Sequence, residues 1–369
     1  MRPTIAEIDL SAIRHNMAHI KASLPANTDI TAVVKANAYG HGAVAVSRAV
    51  LVAGADCLAV AIPEEGVELR QAGLGVPIYL LGLILPQQAP LVVEHNLTAT
   101  VCLQEHVSAL ASAALSQGRR CRIMIKVDTG MNRIGLPPDQ LTSFAAAAAA
   151  RPELELCGVF THLASADAAD KEFANRQLAV FTAALNDLEM HGIRLPVISA
   201  GNSAGIIDLP DSHFNAVRPG IILYGLPPSS DMHQSLDLRP AMRLVTKVVL
   251  LKKVPAGASV SYNCTWTSSR STWLATLPIG YADGYHRSLS GKASVLIGGK
   301  RRPVAGRVCM DQIVVDIGPD CDVAVGDEAV LFGRQGDEEI TVTELAGLAG
   351  TIHYELVCSV SNRVPRVYR

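Results

Sequence analysis

The runs ITAVVKA (30–36), CLAVA (57–61) and PIYLLG (77–82) begin a series of short apolar segments. The later members of the series are TATVC (98–102), RIMIKVD (122–128), LCGVFT (156–161), PVISA (196–200) and NAVRPGIILYG (215–225). Stretches of helical composition separate them. Near-continuous apolar strands that alternate with helices are typical of a parallel sheet buried on both faces. Eight such units in succession predict a closed (β/α)8 barrel, similar to a TIM barrel, rather than an open sheet.

The composition changes after the eighth unit. The segment GLPPSSDMHQSLDLRP (225–240) is rich in Pro, Ser and charged residues, which favours a domain boundary. Beyond it, short strands with a period near two and frequent Gly turns predict a mostly antiparallel β domain. The strand-like start of the chain can join that domain. We therefore expect an N-terminal strand within 1–10, a barrel over 11–235 and a β domain over 236–369.

Charge and hydropathy exclude several classes of partner. The 369 residues carry a formal net charge of -2, which gives no electrostatic reason to expect nucleic acid or an anionic membrane as a partner. Gly, Pro or a charge interrupts every apolar run before it reaches the roughly 20 residues of a membrane helix. The start MRPTIAEIDL (1–10) lacks the apolar region of a secretory signal. We expect a soluble, cytoplasmic protein.

The 8 cysteines and 11 histidines give no metal-binding signature. No C-x-x-C or H-E-x-x-H motif occurs in the sequence. Several cysteines lie inside apolar runs, where a free thiol behaves as a small hydrophobic residue. We therefore expect reduced core cysteines and no metal site.

One lysine is placed unusually, in AVVKANAYGHG (32–42). Lys35 ends the first barrel strand, and the reacting groups of barrel enzymes gather at the carboxyl ends of the strands. A charged amine in an apolar strand is costly, so Lys35 is a candidate for a Schiff-base lysine with a lowered pKa. The alternative, a strand-end lysine that reaches solvent, is common for a lone lysine.

The motif VVKANAYGHG (33–42) resembles the cofactor-lysine motif of the alanine racemase family. The resemblance implies that Lys35 carries pyridoxal 5'-phosphate and acts as one proton-transfer base. It also implies that the hydroxyl of Tyr39 binds the cofactor phosphate.

The segment KVDTGMNRIG (126–135) places Lys126 and Arg133 around a Gly turn at a strand end. Arginine suits a carboxylate because its planar fork donates two parallel hydrogen bonds. In the family, the arginine matching Arg133 contacts the substrate carboxylate and the cofactor. The lysine matching Lys126 is often carbamylated there and orients that arginine.

Three segments at the last barrel strands favour a phosphate site, namely THLASAD (161–167), SAGNSAG (199–205) and FNAVRPGIILYG (214–225). Barrels often bind phosphate after strands seven and eight through backbone N–H groups. A Gly-rich turn that merely closes a barrel is the alternative for any one segment alone. Together the segments resemble the phosphate cup of the family, which implies cofactor-binding roles for Asn202, Ser203, Gly220 and Ile221.

Arg218 matches the arginine that the family places at the pyridine nitrogen of the cofactor. An arginine stays protonated, so the ring nitrogen should accept a hydrogen bond rather than a proton. The resemblance implies that His162 contacts Arg218. Ser199 stands where some relatives have a histidine beneath the arginine.

The β domain supplies the second base by the same resemblance. Tyr262, in SYNCTW (261–266), matches it, although a strand tyrosine is more often a packing residue. The resemblance further implies that the Met310 N–H binds the substrate carboxylate and that Tyr281 lines the entrance. Tyr354 would reach the phosphate and narrow the side-chain pocket. The family also implies a homodimer with shared active sites.

These matches predict two-base, pyridoxal-phosphate-dependent interconversion of L-alanine and D-alanine, which supplies D-alanine for peptidoglycan. Three alternatives share the barrel and a reactive lysine. A pyridoxal-phosphate homeostasis protein would lack a β domain with a Tyr262 equivalent. A basic amino-acid decarboxylase would be longer, with a catalytic cysteine. An aldolase without the cofactor would leave Tyr39 and Arg218 unexplained. Serine remains a possible second substrate, and a catabolic role stays open beside the biosynthetic one.

Overall fold

The computed structural model describes residues 2–369, which divide into two compact units. The barrel unit comprises residues 12–38 and 43–239, and the remainder forms the β unit. The chain passes from the barrel unit to the β unit at Arg239/Pro240. The boundary expected from the composition was 235/236. The first strand, β1 (Ile5–Ile8), and the short loop 39–42 belong to the β unit.

The barrel unit is built on eight parallel strands in the order β4-β3-β2-β9-β8-β7-β6-β5. Their bounds are β2 (Asp29–Val33), β3 (Cys57–Val60), β4 (Ile78–Leu80), β5 (Ala99–Val101), β6 (Cys121–Lys126), β7 (Leu154–Phe160), β8 (Val197–Ser199) and β9 (Ala216–Val217). A parallel bridge between Tyr79 and Thr98 joins the two outer strands of this order. The predicted barrel is therefore confirmed.

The eighth apolar run forms less strand than its length predicts. Only Ala216–Val217 pairs with neighbours, and a 3-10 turn over Ile221–Tyr224 follows. Pro219 has no N–H to donate to a strand ladder, and Gly220 leaves the extended region with φ -117° and ψ -97°. The chain consequently turns at the end of β9.

Helices follow the strands around the barrel. Their bounds are α1 (Leu10–Ala22), α2 (Lys35–Tyr39), α3 (Ala43–Val52), α4 (Pro63–Gln71), α5 (Ala89–Glu94), α6 (Gln104–Ser116), α7 (Leu141–Ala149), α8 (Glu172–Met190) and α9 (Ser203–Asp208). Further 3-10 turns lie at Pro86–Gln88, Pro138–Gln140 and Pro210–Ser212. The alanine-rich α7 buries Leu141, Ala145 and Ala148, which share one helical face. Within residues 2–369, none of the helices has both the length and the apolar character that a bilayer span requires.

The β unit contains three sheets. Its largest sheet has seven strands, with the order β16-β15-β18-β10-β1-β20 and β19 paired to β18. The remaining bounds are β10 (Met242–Lys247), β11 (Leu250–Val254), β12 (Ser259–Val260), β13 (Trp266–Thr267), β14 (Thr272–Leu277), β15 (Ser294–Ile297), β16 (Lys300–Pro303), β17 (Ile313–Gly318), β18 (Glu328–Gln335), β19 (Glu338–Ile340) and β20 (Arg366–Tyr368). Only β1 and β20 pair in parallel, so the predicted mostly antiparallel β domain is confirmed.

Short helical elements complete the β unit. They are α10 (Val342–Ala349), α11 (His353–Ser359) and the 3-10 turns Tyr262–Cys264, Tyr281–Asp283 and Arg287–Leu289. Two of these 3-10 turns begin at Tyr262 and Tyr281, which the sequence predicts to be functional. These two tyrosines therefore lie outside the regular strands.

Candidate active site

Lys35 follows the carboxyl end of β2 and begins α2, which is a single turn of left-handed backbone. The φ angles of residues 36–39 lie between 51° and 54°. L-residues other than glycine avoid this region because the Cβ approaches the following carbonyl oxygen. The Oδ1 of Asn37 accepts a hydrogen bond from the N–H of Ala43 at 2.7 Å, which closes the turn onto α3. The sequence ANAYG therefore forms an unusual loop at the end of the first barrel strand.

Lys126, the last residue of β6, is a buried lysine with 3% of its surface exposed. Its Nζ donates to the carbonyl oxygen of Val127 at 2.7 Å and lies 5.5 Å from the ring centre of Phe160. Burial, together with the nearby charges of Arg218 and Arg133, lowers the pKa of Lys126 to about 7. A large fraction of this amine is thus neutral near pH 7.

The loop after Lys126 carries Arg133 on a tight turn. The Oδ1 of Asp128 accepts from the N–H groups of Gly130 at 2.9 Å and Asn132 at 3.1 Å. A Cβ at Gly135 would lie 2.6 Å from the backbone nitrogen of Asp128, so only glycine fits there. Arg133 is exposed within the single chain. The aspartate and the glycine therefore shape the loop that presents the arginine.

Arg218 lies at the end of β9 and is almost fully buried. Its Nη1 donates to Ser199 Oγ at 2.5 Å, and its Nη2 donates to the carbonyl oxygens of Thr161 at 2.6 Å and Ala200 at 3.2 Å. Burial lowers its pKa to about 10, so the guanidinium remains charged at neutral pH. Its Nε–H donates to no acceptor among residues 2–369, so this N–H is left to bind a ligand.

The environment of His162 shows how four cationic side chains converge in the barrel unit. Burial lowers the pKa of His162 well below its usual value, and the charges of Arg218, Arg133, Lys126 and Lys35 lower it further, in that order. The imidazole is neutral at pH 7 as a result. A site that gathers this much positive charge suits an anionic ligand such as a phosphate or a carboxylate.

A buried polar network supports the His162 segment, and no sequence motif indicated it. The hydroxyls of Thr129 and Thr161 lie 2.8 Å apart. The Nε2 of Gln177, on α8, donates to Thr129 Oγ1 at 3.2 Å and to the His162 carbonyl oxygen at 3.1 Å. Its Oε1 accepts from the N–H of Ala164 at 2.9 Å. These hydrogen bonds join residues that are 13 to 48 positions apart, so only the fold brings them together.

The predicted phosphate segments meet at the ends of β8 and β9. The Oδ1 of Asn202 accepts from the N–H of Gly205 at 2.9 Å, and its Nδ2 donates to the Leu163 carbonyl oxygen at 3.2 Å. The Oγ of Ser203 accepts from the N–H of Gly220 at 2.8 Å. Ile221 begins the 3-10 turn that follows Gly220. Hydroxyl and backbone donors from both segments therefore lie next to each other.

Tyr39 and Tyr354 meet in the β unit, with ring centres 6.3 Å apart. Burial raises the pKa of Tyr39, and the neighbouring Tyr354 and Cys358 raise it further, so the phenol stays protonated and can donate. Gly40 follows with φ 80°, and a Cβ there would lie 2.2 Å from the Val357 carbonyl oxygen. The small residue after Tyr39 is therefore required by close packing against α11.

Tyr262 lies between two residues with positive φ, Ser261 at 65° and Asn263 at 61°. The Oγ of Ser261 donates to the Arg307 carbonyl oxygen at 2.7 Å, which attaches this turn to the segment that leads to Met310. Tyr262 exposes 68% of its surface in the single chain. The phenol is therefore displayed on a strained turn and is open to solvent.

The same segment also holds the turn of Tyr281. The N–H of Tyr281 donates to the Cys309 carbonyl oxygen at 3.0 Å, and the N–H of Ala282 donates to the Met310 carbonyl oxygen at 3.0 Å. A Cβ at Gly280 would lie 2.3 Å from the Cys309 carbonyl oxygen. Met310, Tyr281 and the Tyr262 turn thus lie on hydrogen-bonded neighbouring segments of the β unit.

The donors of the barrel unit fit pyridoxal phosphate. Ser203 and the backbone around Gly220 offer neutral donors for a phosphate, and Lys35 supplies an amine among the cations around His162. The charged Arg218 retains an Nε–H donor for a ring nitrogen. A carboxylate in the place of this arginine would stabilise a protonated ring nitrogen, whereas a charged arginine would not.

Two family models match the chain, that of the alanine racemase N-terminal domain over residues 8–228 and that of the C-terminal domain over residues 241–368. The chain belongs to the alanine racemase family. The predictions of the family, of the fold class and of an enzyme of the isomerase class are therefore confirmed.

Relatives named alanine racemase cover nearly the whole chain. The alanine racemase of Halothermothrix orenii is 46% identical over 100% of this chain and 97% of its own length. The crystal structure of the alanine racemase from Bacillus anthracis with bound L-Ala-P is 40% identical, with a TM-score of 0.95 over 100% of this chain and 95% of that one. An alanine racemase of Clostridium difficile 630 is 40% identical, with a TM-score of 0.96 over 100% and 96%.

Proposed function

We propose that this member of the alanine racemase family interconverts L-alanine and D-alanine, with pyridoxal phosphate as cofactor and Lys35 and Tyr262 as the two bases. The observation that carries the proposal is the buried, charged Arg218 among the cations around His162, with a donor left for a ring nitrogen. The names of relatives that cover the chain support alanine as the substrate.

The resemblance to the family names the residues that would hold the cofactor. They are Lys35, Tyr39, Arg133, His162, Asn202, Ser203, Arg218, Gly220, Ile221 and Tyr354. When bound, pyridoxal phosphate acidifies the Cα–H of an attached amino acid by accepting the electron pair of that bond. The hydroxyl of Ser203, held by the N–H of Gly220, and the N–H of Ile221 would bind the phosphate, and the protonated phenol of Tyr39 would donate to it.

Arg218 would limit how far the electron pair spreads. Its pKa of about 10 lies far above neutral pH, so it donates a hydrogen bond but does not give up its proton. With Arg218 at the ring nitrogen, the cofactor would accept less of this electron pair, which would favour early return of a proton to Cα, and hence racemisation over transamination. Arg218 would therefore select the reaction.

Two bases on opposite faces are the simplest way to invert Cα. Tyr262 would remove the proton from L-alanine, and Lys35 would deliver a proton to the other face at Nζ, with the roles reversed for D-alanine. A free phenol has a pKa of about 10, so positive charge must favour the phenolate form at the moment of transfer. The cationic side chains of the barrel unit are the source of that charge.

The second base would come from the other subunit of a homodimer. Tyr262, Tyr281 and Met310 expose 68%, 41% and 52% of their surfaces in the single chain. Large exposed side chains of this kind are typical of a surface that a partner covers. In the proposed assembly these residues complete the site of the partner subunit.

Arg133 and the N–H of Met310 would bind the substrate carboxylate, and Tyr354 would leave room for little more than a methyl group. A pocket of this kind rejects the added hydroxyl of serine only weakly, by roughly 100-fold. Lys126 would be carbamylated, since its pKa of about 7 leaves a neutral amine to attack CO2 with loss of one proton. The resulting anion would orient Arg133. The proposed role is cytoplasmic supply of D-alanine for peptidoglycan.

Chiral chromatography tests the proposal directly. Purified protein loaded with pyridoxal phosphate is incubated with L-alanine, and L-serine is run beside it. We expect D-alanine to approach an equal mixture, and to form faster than D-serine. Retention of L-alanine by a cofactor-loaded protein would reject the racemase proposal.

A further inference from the structure

Two histidines and an aspartate form a cluster in the barrel unit that has no part in the proposed reaction. His15 and His19 lie one turn apart on α1, with ring centres 4.2 Å apart and ring planes tilted by 35°. Asp237 faces both, with its Oδ2 3.2 Å from His15 Nε2 and 3.7 Å from His19 Nε2. The three ligand atoms lie within 4.8 Å of one another.

These separations match those of ligands around one small cation. A tetrahedral ion with ligand bonds of about 2.0–2.1 Å places neighbouring ligands about 3.3–3.4 Å apart. The two nitrogen–oxygen separations of 3.2 and 3.7 Å need to change by only a few tenths of an ångström to reach that value. Histidines at i and i+4 point to one side of a helix, an arrangement that binds zinc in helical motifs.

We propose that His15, His19 and Asp237 bind a divalent cation of the Zn²⁺, Co²⁺ and Ni²⁺ class. Two imidazoles and one carboxylate suit these borderline ions, whereas Ca²⁺ and Mg²⁺ prefer oxygen ligands. The side chains of Asp237 and His19 are 63% and 42% exposed. An ion can therefore enter from solvent and retain water on its remaining positions.

The backbone around Asp237 is already held in place. The carboxylate of Asp208 accepts from the N–H groups of His233 and Gln234, each at 2.9 Å, and pairs with Lys171. A bound cation would fasten the same Pro-rich segment to α1 at a second point. No sequence motif indicates this site, because Asp237 lies more than 200 positions beyond His19.

Metal binding by the cofactor-loaded protein tests this proposal. After dialysis against a chelator, Co²⁺ and Zn²⁺ are titrated into the wild type, H19Q and D237N, with calorimetry and elemental analysis as readouts. His191→Gln is the matched control, since His191 pairs with Asp187 at i,i+4 but has no second histidine. The exposed cysteines Cys264 and Cys321 are present in all four proteins, so any zinc that they bind does not affect the comparison.

We expect the wild type and H191Q to bind one ion more than H19Q and D237N, and to gain thermal stability on addition of Zn²⁺. Equal stoichiometry and affinity in the wild type, H19Q and D237N would overturn the proposal. Neither readout depends on racemisation.

A second inference concerns Glu65, the third residue of α4. Its Oε1 accepts from the N–H of Ala36 at 2.6 Å, and its Oε2 accepts from the N–H of Ala61 at 2.7 Å. Ala36 directly follows Lys35, and Ala61 directly follows β3. One carboxylate therefore joins the ends of two neighbouring barrel strands.

The bond to Ala36 fixes the point at which the chain enters the left-handed turn. Four consecutive residues with φ between 51° and 54° persist only where the surroundings hold them. Carboxylate acceptors form stronger hydrogen bonds to backbone N–H groups than neutral acceptors do. Without the carboxylate the turn would relax, and the direction of the Lys35 side chain would change with it.

We infer that Glu65 is a positioning residue for Lys35, an inference that rests on the proposed role of Lys35. It is tested with E65A and E65Q, and with Glu68→Gln as the matched control, because Glu68 is an exposed residue of the same helix. The readouts are hydrogen exchange of the peptide over 34–40, retention of the cofactor during dialysis, and kcat and KM measured separately.

In E65A we expect the Ala36 amide to exchange at least about tenfold faster than in the wild type, because a charged acceptor has been removed. We also expect the fold decrease in kcat to exceed the fold increase in KM. E65Q, which keeps one acceptor oxygen, should lie between E65A and the wild type. Wild-type exchange and kcat in E65A would overturn the inference. Faster exchange in a protein without racemase activity would instead point to failure of the proposed function.

Discussion

Arg218 donates from Nη1 to Ser199 Oγ at 2.5 Å, and no carboxylate accepts from this buried guanidinium among residues 2–369. Its three acceptors, a hydroxyl and two carbonyl oxygens, are neutral. They hold its orientation without compensating its charge, which is why burial lowers its pKa. The hydroxyl of Ser199 therefore supports Arg218 as a neutral hydrogen-bond acceptor.

Replacement of Ser199 by alanine should weaken this support. It leaves a buried charged donor without its acceptor, which costs about 1–3 kcal/mol of unfolding free energy. We expect a lower midpoint of thermal unfolding and weaker binding of pyridoxal phosphate. Ser199→Thr keeps the hydroxyl and serves as the control. Equal cofactor affinity in S199A and the wild type would contradict the assigned support.

Replacement of Lys35 by alanine should abolish the visible absorbance of the bound cofactor, because no other amine occupies its position at the end of β2. Lys253→Ala, at an exposed lysine of β11, should leave the spectrum unchanged. The spectra of dialysed proteins after incubation with pyridoxal phosphate give the comparison. Normal absorbance in K35A would show that another residue carries the cofactor.

The pKa of Lys126 predicts a specific dependence of stability on pH. Burial lowers the pKa to about 7 in the folded protein, so the folded state binds fewer protons than the unfolded state between about pH 7 and pH 10.5. Stability conferred at this residue should therefore rise with pH across that interval and should be lowest below pH 7. At about 1.4 kcal/mol per pKa unit, the rise is on the order of a few kcal/mol.

Lys126→Met should flatten this rise, since it removes the titrating amine and keeps the apolar stem. The measurement is urea unfolding at pH 7 and pH 9, with K253M as the control for an exposed lysine. Preparation under CO2-free conditions gives the unmodified wild type. Identical pH dependence in K126M and that wild type would show that the lysine is not buried as a neutral amine.

The Gln177 network should contribute to stability without contacting a ligand. Gln177→Leu leaves the His162 carbonyl oxygen and the Ala164 N–H without their side-chain partner, and it removes one of the two hydrogen bonds of the Thr129 hydroxyl. Each buried polar group that loses its hydrogen bond costs about 1–3 kcal/mol. Thermal unfolding should show a clear loss for Q177L and little change for Arg176→Leu, whose side chain is exposed. Equal losses in the two variants would count against the network.

The sequence predicted the strands that are continuously apolar. Apolar runs such as CLAVA and RIMIKVD became β3 and β6 because a strand buried on both faces must be continuously apolar. The run NAVRPGIILYG did not stay a strand beyond Val217, since Pro219 cannot donate to a ladder. Residue identities were therefore sufficient to predict β3 and β6, whereas the backbone geometry at Pro219 and Gly220 decided where β9 ends.

The sequence predicted the candidate site residues that lie in family motifs, but not the residues that hold them in place through hydrogen bonds. Lys35 and Arg218 lie in segments with a family pattern. Glu65 and Gln177 act through hydrogen bonds to partners 4 to 48 positions away, and nothing in their local sequence distinguishes them from other helix residues. The left-handed turn of residues 36–39 was likewise unpredictable, because alanine and tyrosine rarely adopt it.

Exchange of the Cα proton in D2O tests the two-base proposal most directly. Tyr262→Phe keeps the ring and loses the hydroxyl, so we expect this variant to retain the cofactor and to lose racemisation. Lys35 alone should still exchange the Cα proton of D-alanine with solvent deuterium, without inversion, while L-alanine stays protonated. Proton NMR and chiral chromatography of the same samples measure both quantities. If Y262F racemised at the wild-type rate, or exchanged both enantiomers equally, Tyr262 would not be the second base.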